Sequence, residues 1–287
     1  MIRVISILLI LLGLAACSAH GAVIGPDGDI YRLHAFAYSD SPLLQTSEYS
    51  IRSSATERIK WYTYGGIGAA HLVGAVPVYN HLTGTWGAPT GRFHFKNETA
   101  DYLAFNDEVS HLFISYKLAQ GFEAAYRSFG FSDGKARLFG AVESAFIMTF
   151  VEIPVDAFNP SQGMGATDLA ADYLGIGLAW WKSVNPALHD LDLKVSMRSF
   201  SGQYSRGLGE DQEDYDNYIY WLTYRYKFAV AGVGYGTTHP SPKDADPSAY
   251  IGIGTTIPDL VGLVSSKLAR NLKPLELYFF NFHVEAF

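Results

Sequence analysis

The spacing of apolar residues changes once along this chain, at Pro186, and that change constrains the fold more than any single motif. Before it, apolar residues come in runs of helical length. After it, Leu191, Leu193, Val195 and Met197 alternate with Asp190, Asp192, Lys194 and Ser196, which is the period of a strand. Asn217 to Phe228, Ala229 to Thr237 and Tyr250 to Ile257 read as further strands, and Leu275 to Phe287 as a last one; Asp259 to Asn271 returns to helical spacing. The expected fold is α+β: a four-helix apolar bundle, then a C-terminal aromatic-rich antiparallel strand region with one further helix. A terminal phenylalanine is common in outer-membrane barrels, but such a barrel needs at least about eight strands.

The helical half reads as four segments. Trp61 to Tyr79 has no formal charge and carries Gly65, Gly66, Gly68, Gly74 and Pro77, so a helix with small-residue contacts is expected, either spanning a membrane or buried in the bundle. The second runs from about Asn106 to Ser128, with Asn106 or Asp107 as its N-cap. A third, from about Asp133 to Val151, is apolar around Glu143, and Pro154 is expected to end or kink it just beyond Glu152. The fourth begins at Thr167 or Asp168 and runs to Trp181, before Asn185-Pro186.

At the N-terminus, Arg3 precedes an apolar run, Val4 to Leu14, too short to cross a bilayer. It ends in Leu14-Ala15-Ala16-Cys17, which resembles the lipobox of bacterial lipoproteins, and Cys17 is the only cysteine in the chain. The reading is a signal peptide over 1–16, a lipid on Cys17 with a linker over 17–55, a motif-bearing bundle over 56–185 and a strand-rich extension over 186–287. Ordinary signal cleavage near Ala19 to Ala22 is the alternative. A lipid on Cys17 makes the membrane the first partner, and Ser18 beside it favours the outer over the inner membrane.

Composition excludes several classes. A net charge of −7, with 21 scattered Lys and Arg, argues against nucleic acid as a partner. No nucleophile elbow, phosphate-binding loop, His-Glu-x-x-His or paired-cysteine motif occurs.

Chemistry is expected where acids and imidazole interrupt apolar helices. Asp107 and His111 stand four apart and share a helical face, as do Asp168 and Asp172; Glu152 and Asp156 bracket the turn after the third helix. One histidine among carboxylates suits a hard divalent metal ion or a proton-transfer pair better than a structural zinc site. Asp107, His111, Glu152, Asp168 and Asp172 are therefore the catalytic or ligand candidates, and Asp156 a binding candidate. Helix capping or a buried ion-pair network is the alternative.

These same residues carry a resemblance. Asp107-Glu108-Val109-Ser110-His111, Glu152-Ile153-Pro154-Val155-Asp156 and Gly165-Ala166-Thr167-Asp168-Leu169-Ala170-Ala171-Asp172-Tyr173-Leu174-Gly175 resemble, in order and spacing, the signatures of the YfiM-like predicted periplasmic lipoproteins, over about Arg92 to Trp181. The chain departs from that pattern at Glu108, Ser110 and Asp172, where the family usually has lysine, glycine and asparagine. A more distant similarity is to VanZ-like membrane proteins. The resemblance implies an envelope location and no particular reaction. Three functions remain open from sequence: a binding or scaffolding module for lipid, cell-wall material or a protein at the membrane surface; a metal-assisted or acid/base hydrolase of lipid or cell wall; and an integral membrane protein.

Overall fold

The computed structural model describes residues 23–24, 30–31, 59, 61–96, 104–198, 215–241 and 244–286. The signal-peptide and Cys17 readings lie outside them, as does nearly all of the 17–55 linker. The architecture is mixed, with helices in the first half and an antiparallel sheet in the second. The helices are α1 (Trp61–Trp86), α2 (Asn106–Ser128), α3 (Asp133–Phe150) and α4 (Ala166–Val184).

α1 runs through Pro77 and past its expected end at Tyr79. Gly87 closes it with a positive φ of 103° and an N–H donated to the Thr83 carbonyl at 3.1 Å. The small-residue contacts expected along α1 are not made at Gly65, Gly66 and Gly68, where the space is open. α2 also begins differently from expectation. Phe105, with φ 61°, occupies the cap position without a side-chain cap bond. Asn106 is instead in the first turn and donates from Nδ2 to Thr237 Oγ1 at 2.5 Å, so its side chain joins the helix to the sheet.

α2 is the central element. Phe113, Ile114, Leu118 and Phe122 pack with Met148 of α3 and with Val195, Tyr220 and Leu277 on the sheet side, while Tyr116 and Ala119 meet Ile176 and Ala179 of α4. Two glycines allow its neighbours to come this close. A Cβ on Gly140 of α3 would lie 2.6 Å from the Glu123 backbone nitrogen, and one on Gly175 of α4 would run into the Ser115 hydroxyl and the Leu112 carbonyl. Gly175→Val is therefore expected to lower stability by about 1–3 kcal/mol through overpacking, read as a fall in the urea midpoint.

Beyond Phe150 the helix widens into a π turn over Val151–Val155 and tightens to a 3-10 turn over Asp156–Phe158. Pro154 has no N–H to donate, so the regular ladder cannot continue there. The kink expected at Pro154 takes this form, and it turns Glu152 inward.

The sheet comprises β1 (Leu191–Met197), β2 (Tyr218–Tyr226), β3 (Ala229–Ser241), β4 (Asp244–Thr255) and β5 (Phe280–Glu285), paired antiparallel in chain order. It curls until Val195 of β1 bridges to Tyr278, with Phe279 N–H donating to the Val195 carbonyl at 2.8 Å. The polar side of β1 faces into this curl, where Lys194 and Ser196 are buried. Trp221 fills the interior, donating from Nε1 to Ser196 Oγ at 2.8 Å. The glycine-rich strands make room for it: a Cβ on Gly234 or Gly252 would come within 2.8 or 2.9 Å of the indole.

The single helix expected over 259–271 is two short ones, α5 (Ile257–Gly262) and α6 (Ser266–Asn271), because Ser265 leaves the helix and its Oγ accepts from Leu268 N–H at 3.3 Å. The segment expected as one strand from Leu275 divides into a 3-10 turn, Lys273–Leu277, and β5. On the outside of the sheet Leu222, Val233, Ile251 and Val284 form a register-aligned apolar row.

Candidate functional site

The paired acids meet because three chain segments converge at one end of α2. α2 contributes Asp107 and His111, the π turn contributes Glu152, and the first two turns of α4 contribute Asp168 and Asp172. All five are buried. A sixth group, Lys96, arrives from the loop after α1. The Phe95–Met164 bridge and the bond from Lys96 N–H to the Met164 carbonyl at 2.9 Å hold that loop against the residues preceding α4. Gly163 makes the approach possible: its φ is +96°, and a Cβ there would sit 2.7 Å from the Lys96 nitrogen.

His111 is the hub. Its Nδ1 lies 3.2 Å from Asp172 Oδ1 and 3.7 Å from Glu152 Oε1, while Nε2 is 3.8 Å from Asp107 Oδ1. Lys96 Nζ bridges Asp107 Oδ2 at 2.7 Å and Asp168 Oδ2 at 3.0 Å. Glu152 Oε2 accepts from the Gly165 N–H at 3.1 Å. Gly165 is also sterically required, because a Cβ would collide with the Asp168 carboxylate.

Five carboxyl groups, counting half-buried Asp156, share this region with one lysine and one imidazole. Burial pushes Glu152 up to about 8, with Asp168 and Asp156 adding to the rise against the pull of His111. It pushes Asp156 up to about 6 and raises Asp168 and Asp172 as well. Burial acts to lower His111, but the hydrogen bond and charge of Asp172, with Asp107 and Glu152, outweigh it and hold the imidazole well above its ordinary range. The centre is thus short of positive charge. Three carboxylate oxygens, Asp156 Oδ1, Asp168 Oδ1 and Asp172 Oδ2, are buried without a hydrogen-bond partner among the described residues.

Two ligand-type groups share His111. One donor atom each from Asp107, His111 and Asp168 lies within 4.8 Å of the others, and the same holds for His111, Glu152 and Asp172. All five catalytic or ligand candidates therefore come together, and Asp156 joins them through its charge rather than within either group. Neither Asp107 nor Asp168 acts as an N-cap, because the cap positions of α2 and α4 are Phe105 and Gly165. Two neighbours of the centre are also engaged: Glu108 accepts from Thr167 Oγ1 at 2.8 Å, and Ser110 Oγ donates to the Asp107 carbonyl at 2.8 Å.

Lys96 is not among the sequence candidates, and Gly165 enters the sequence reading only as the first residue of the third signature. Lys96 ends the segment Arg92-Phe93-His94-Phe95-Lys96, but only the pairing with Met164 brings it to the acids.

Residues 94–183 match the family described as Predicted periplasmic lipoprotein (DUF2279), a span that begins two residues before Lys96 and ends at the last turn of α4. The match covers less than a third of the chain but contains every member of the buried centre. It supports a periplasm-facing envelope location for a protein of this kind. No curated protein and no solved structure matches the chain.

Proposed function

We propose that this protein is a lipid-anchored, periplasm-facing envelope protein, a binding module at the membrane surface whose buried centre around His111 holds a divalent cation. The observation that carries the reading is Asp168 Oδ1, a buried oxygen with no partner among the described residues, on a residue only 3% exposed. A buried carboxylate oxygen without a donor is costly, and a hard cation satisfies several at once. Oxygen-rich ligation with one imidazole suits Mn²⁺, Mg²⁺ or Zn²⁺. Asp172 accepts from the Nδ1 side of His111, which directs Nε2 toward Asp107 and Asp168. That is the carboxylate–histidine–metal relay, in which the outer acid fixes the tautomer. Lys96 offsets part of the acidic charge and holds Asp107 and Asp168 together.

The family match and the Leu14-Ala15-Ala16-Cys17 sequence support the anchor, and the ordered motifs support the YfiM-like likeness. The boundaries 1–16, 17–55, 56–185 and 186–287 belong to the same reading. The test is metal analysis of the purified full-length protein after incubation with Mn²⁺, Mg²⁺ or Zn²⁺ and extensive dialysis. About one cation per chain is expected in the wild type, with a loss of at least about tenfold in His111→Ala and Asp168→Asn that keep the wild-type circular dichroism. A wild type that retains none of the three ions would sink the cation reading. Incorporation of labelled palmitate, expected in the wild type and absent in Cys17→Ala, tests the anchor separately.

A further inference from the structure

The helices carry their polarity inside out. On α3, Val142, Phe146 and Phe150 follow one another at four-residue steps and point outward, Phe146 at 67% exposure, while Ser144 and Met148 point inward. On α4, Leu174 and Trp181 are 56% and 54% exposed on the face opposite Asp168 and Asp172. From Leu138 to Pro154 every exposed residue of this run is apolar. The two acids of the run are turned away from this surface, Glu143 to His71 and Tyr126 and Glu152 into the buried centre. α1, which has no formal charge, exposes Val73 and Val76. Scattered apolar residues are normal on a protein surface, but an uncharged outward surface across the packed pair α3 and α4, with α1 joined to α3 through His71 and Glu143, is not.

We propose that the outward face of α1, α3 and α4 rests in the interfacial layer of the lipid bilayer, with the sheet on the aqueous side. The occupant follows from the chemistry of the face. It is rich in aromatic side chains, with Tyr173, Trp180 and Trp181 all exposed on α4, which suits the boundary between headgroups and acyl chains. It offers few polar groups for the hydrogen bonds that a protein interface of this breadth would carry. The expected anchor, Cys17, lies 44 residues before Trp61, near enough for the tether to keep this face at a membrane.

The run 133–158 is long and apolar enough to cross a membrane. The sheet argues for an interfacial position instead. It packs against the middle of α2, where Lys117 meets Asp192 at 3.0 Å and Lys194 lies beside them, so a spanning arrangement would carry that charged network to mid-bilayer depth. Since the whole chain bears −7, insertion rather than attraction to anionic lipid is the driving term, and binding is expected to persist on zwitterionic vesicles in high salt. This inference extends the location part of the proposed function and is independent of the cation.

The lone native cysteine makes the test clean. In full-length Cys17→Ala protein, single substitutions Phe146→Cys, Leu174→Cys and Val284→Cys are labelled with an environment-sensitive fluorophore and mixed with phosphatidylcholine vesicles. Labels at 146 and 174 are expected to shift to the blue and to be quenched more by headgroup-level than by midplane nitroxide lipids, while the label at 284, on the far strand of the sheet, stays in water. A paired variant, Phe146→Glu with Trp181→Glu, should lose vesicle binding by at least about tenfold with an unchanged melting temperature, because both positions are exposed. No shift on adding vesicles, or an equal shift at all three positions, would overturn the proposal. So would protection that needs no vesicles and grows with protein concentration, which would mean a second copy, or strongest quenching from the midplane, which would mean a spanning bundle.

Discussion

Asp192→Ala is expected to lower folding stability by about 3–5 kcal/mol, the range for removing one partner from a buried ion pair. The carboxylate sits where the helices meet the sheet. It receives Lys117 Nζ at 3.0 Å and Lys194 Nζ at 3.0 Å, Lys182 Nζ at 3.6 Å, and the Tyr116 hydroxyl at 2.8 Å. Lys194 has 2% of its side chain exposed, so it cannot turn to water when its partner goes; Glu276 is the nearest acid left, at 3.9 Å. Burial alone would raise Asp192, but Lys117, Lys194 and Lys182 outweigh it and hold the carboxyl far below the usual range.

The sign of the pH dependence follows. A carboxyl whose folded value is depressed contributes stability that is present above its unfolded value, about 3.9, and is lost as pH falls toward the folded one. The stability gap between wild type and Asp192→Ala should therefore be full above about pH 5 and shrink steadily below it. Urea melts of both proteins across that window measure the gap directly. A gap that did not change down to pH 3 would show that Asp192 acts by packing and not by charge.

The period change at Pro186 was readable because a strand needs only alternation and a helix only its four-residue recurrence, both local properties. For the same reason the pairs Asp107 with His111 and Asp168 with Asp172 could be placed on helical faces from spacing alone. The sequence could not say which side of β1 faces inward. Asp192, Lys194 and Ser196 look like a solvated strand face, yet the sheet curls around them, and burial is possible because Lys117 and Glu276 come from elsewhere in the chain. Lys96 escaped notice for a related reason: its partners lie 11 and 72 residues away, and a parallel bridge sets the distance. The capping role expected for Asn106 failed because Thr237, 131 residues on, competes for the same side chain. Pro77, an ordinary helix breaker, did not stop α1.

The second large effect is expected at Asp172. Asp172→Ala should weaken cation retention by about 10–100-fold, the usual consequence of removing the outer acid from a histidine ligand. The alanine removes the acceptor that holds His111 Nδ1 at 3.2 Å, so the imidazole loses its fixed tautomer and Nε2 is no longer directed at Asp107 and Asp168. Asp172→Asn separates orientation from charge. The amide oxygen can still accept from Nδ1, but the negative charge is gone and a buried NH₂ replaces the partnerless Oδ2. Orientation survives in this variant while the charge does not, so the asparagine variant should fall toward the mild end of the range. Isothermal titration of Mn²⁺ into the metal-free proteins ranks the three. The order wild type, asparagine, alanine is expected. If both variants bound as tightly as the wild type, His111 would not depend on Asp172, and the relay would have to be abandoned.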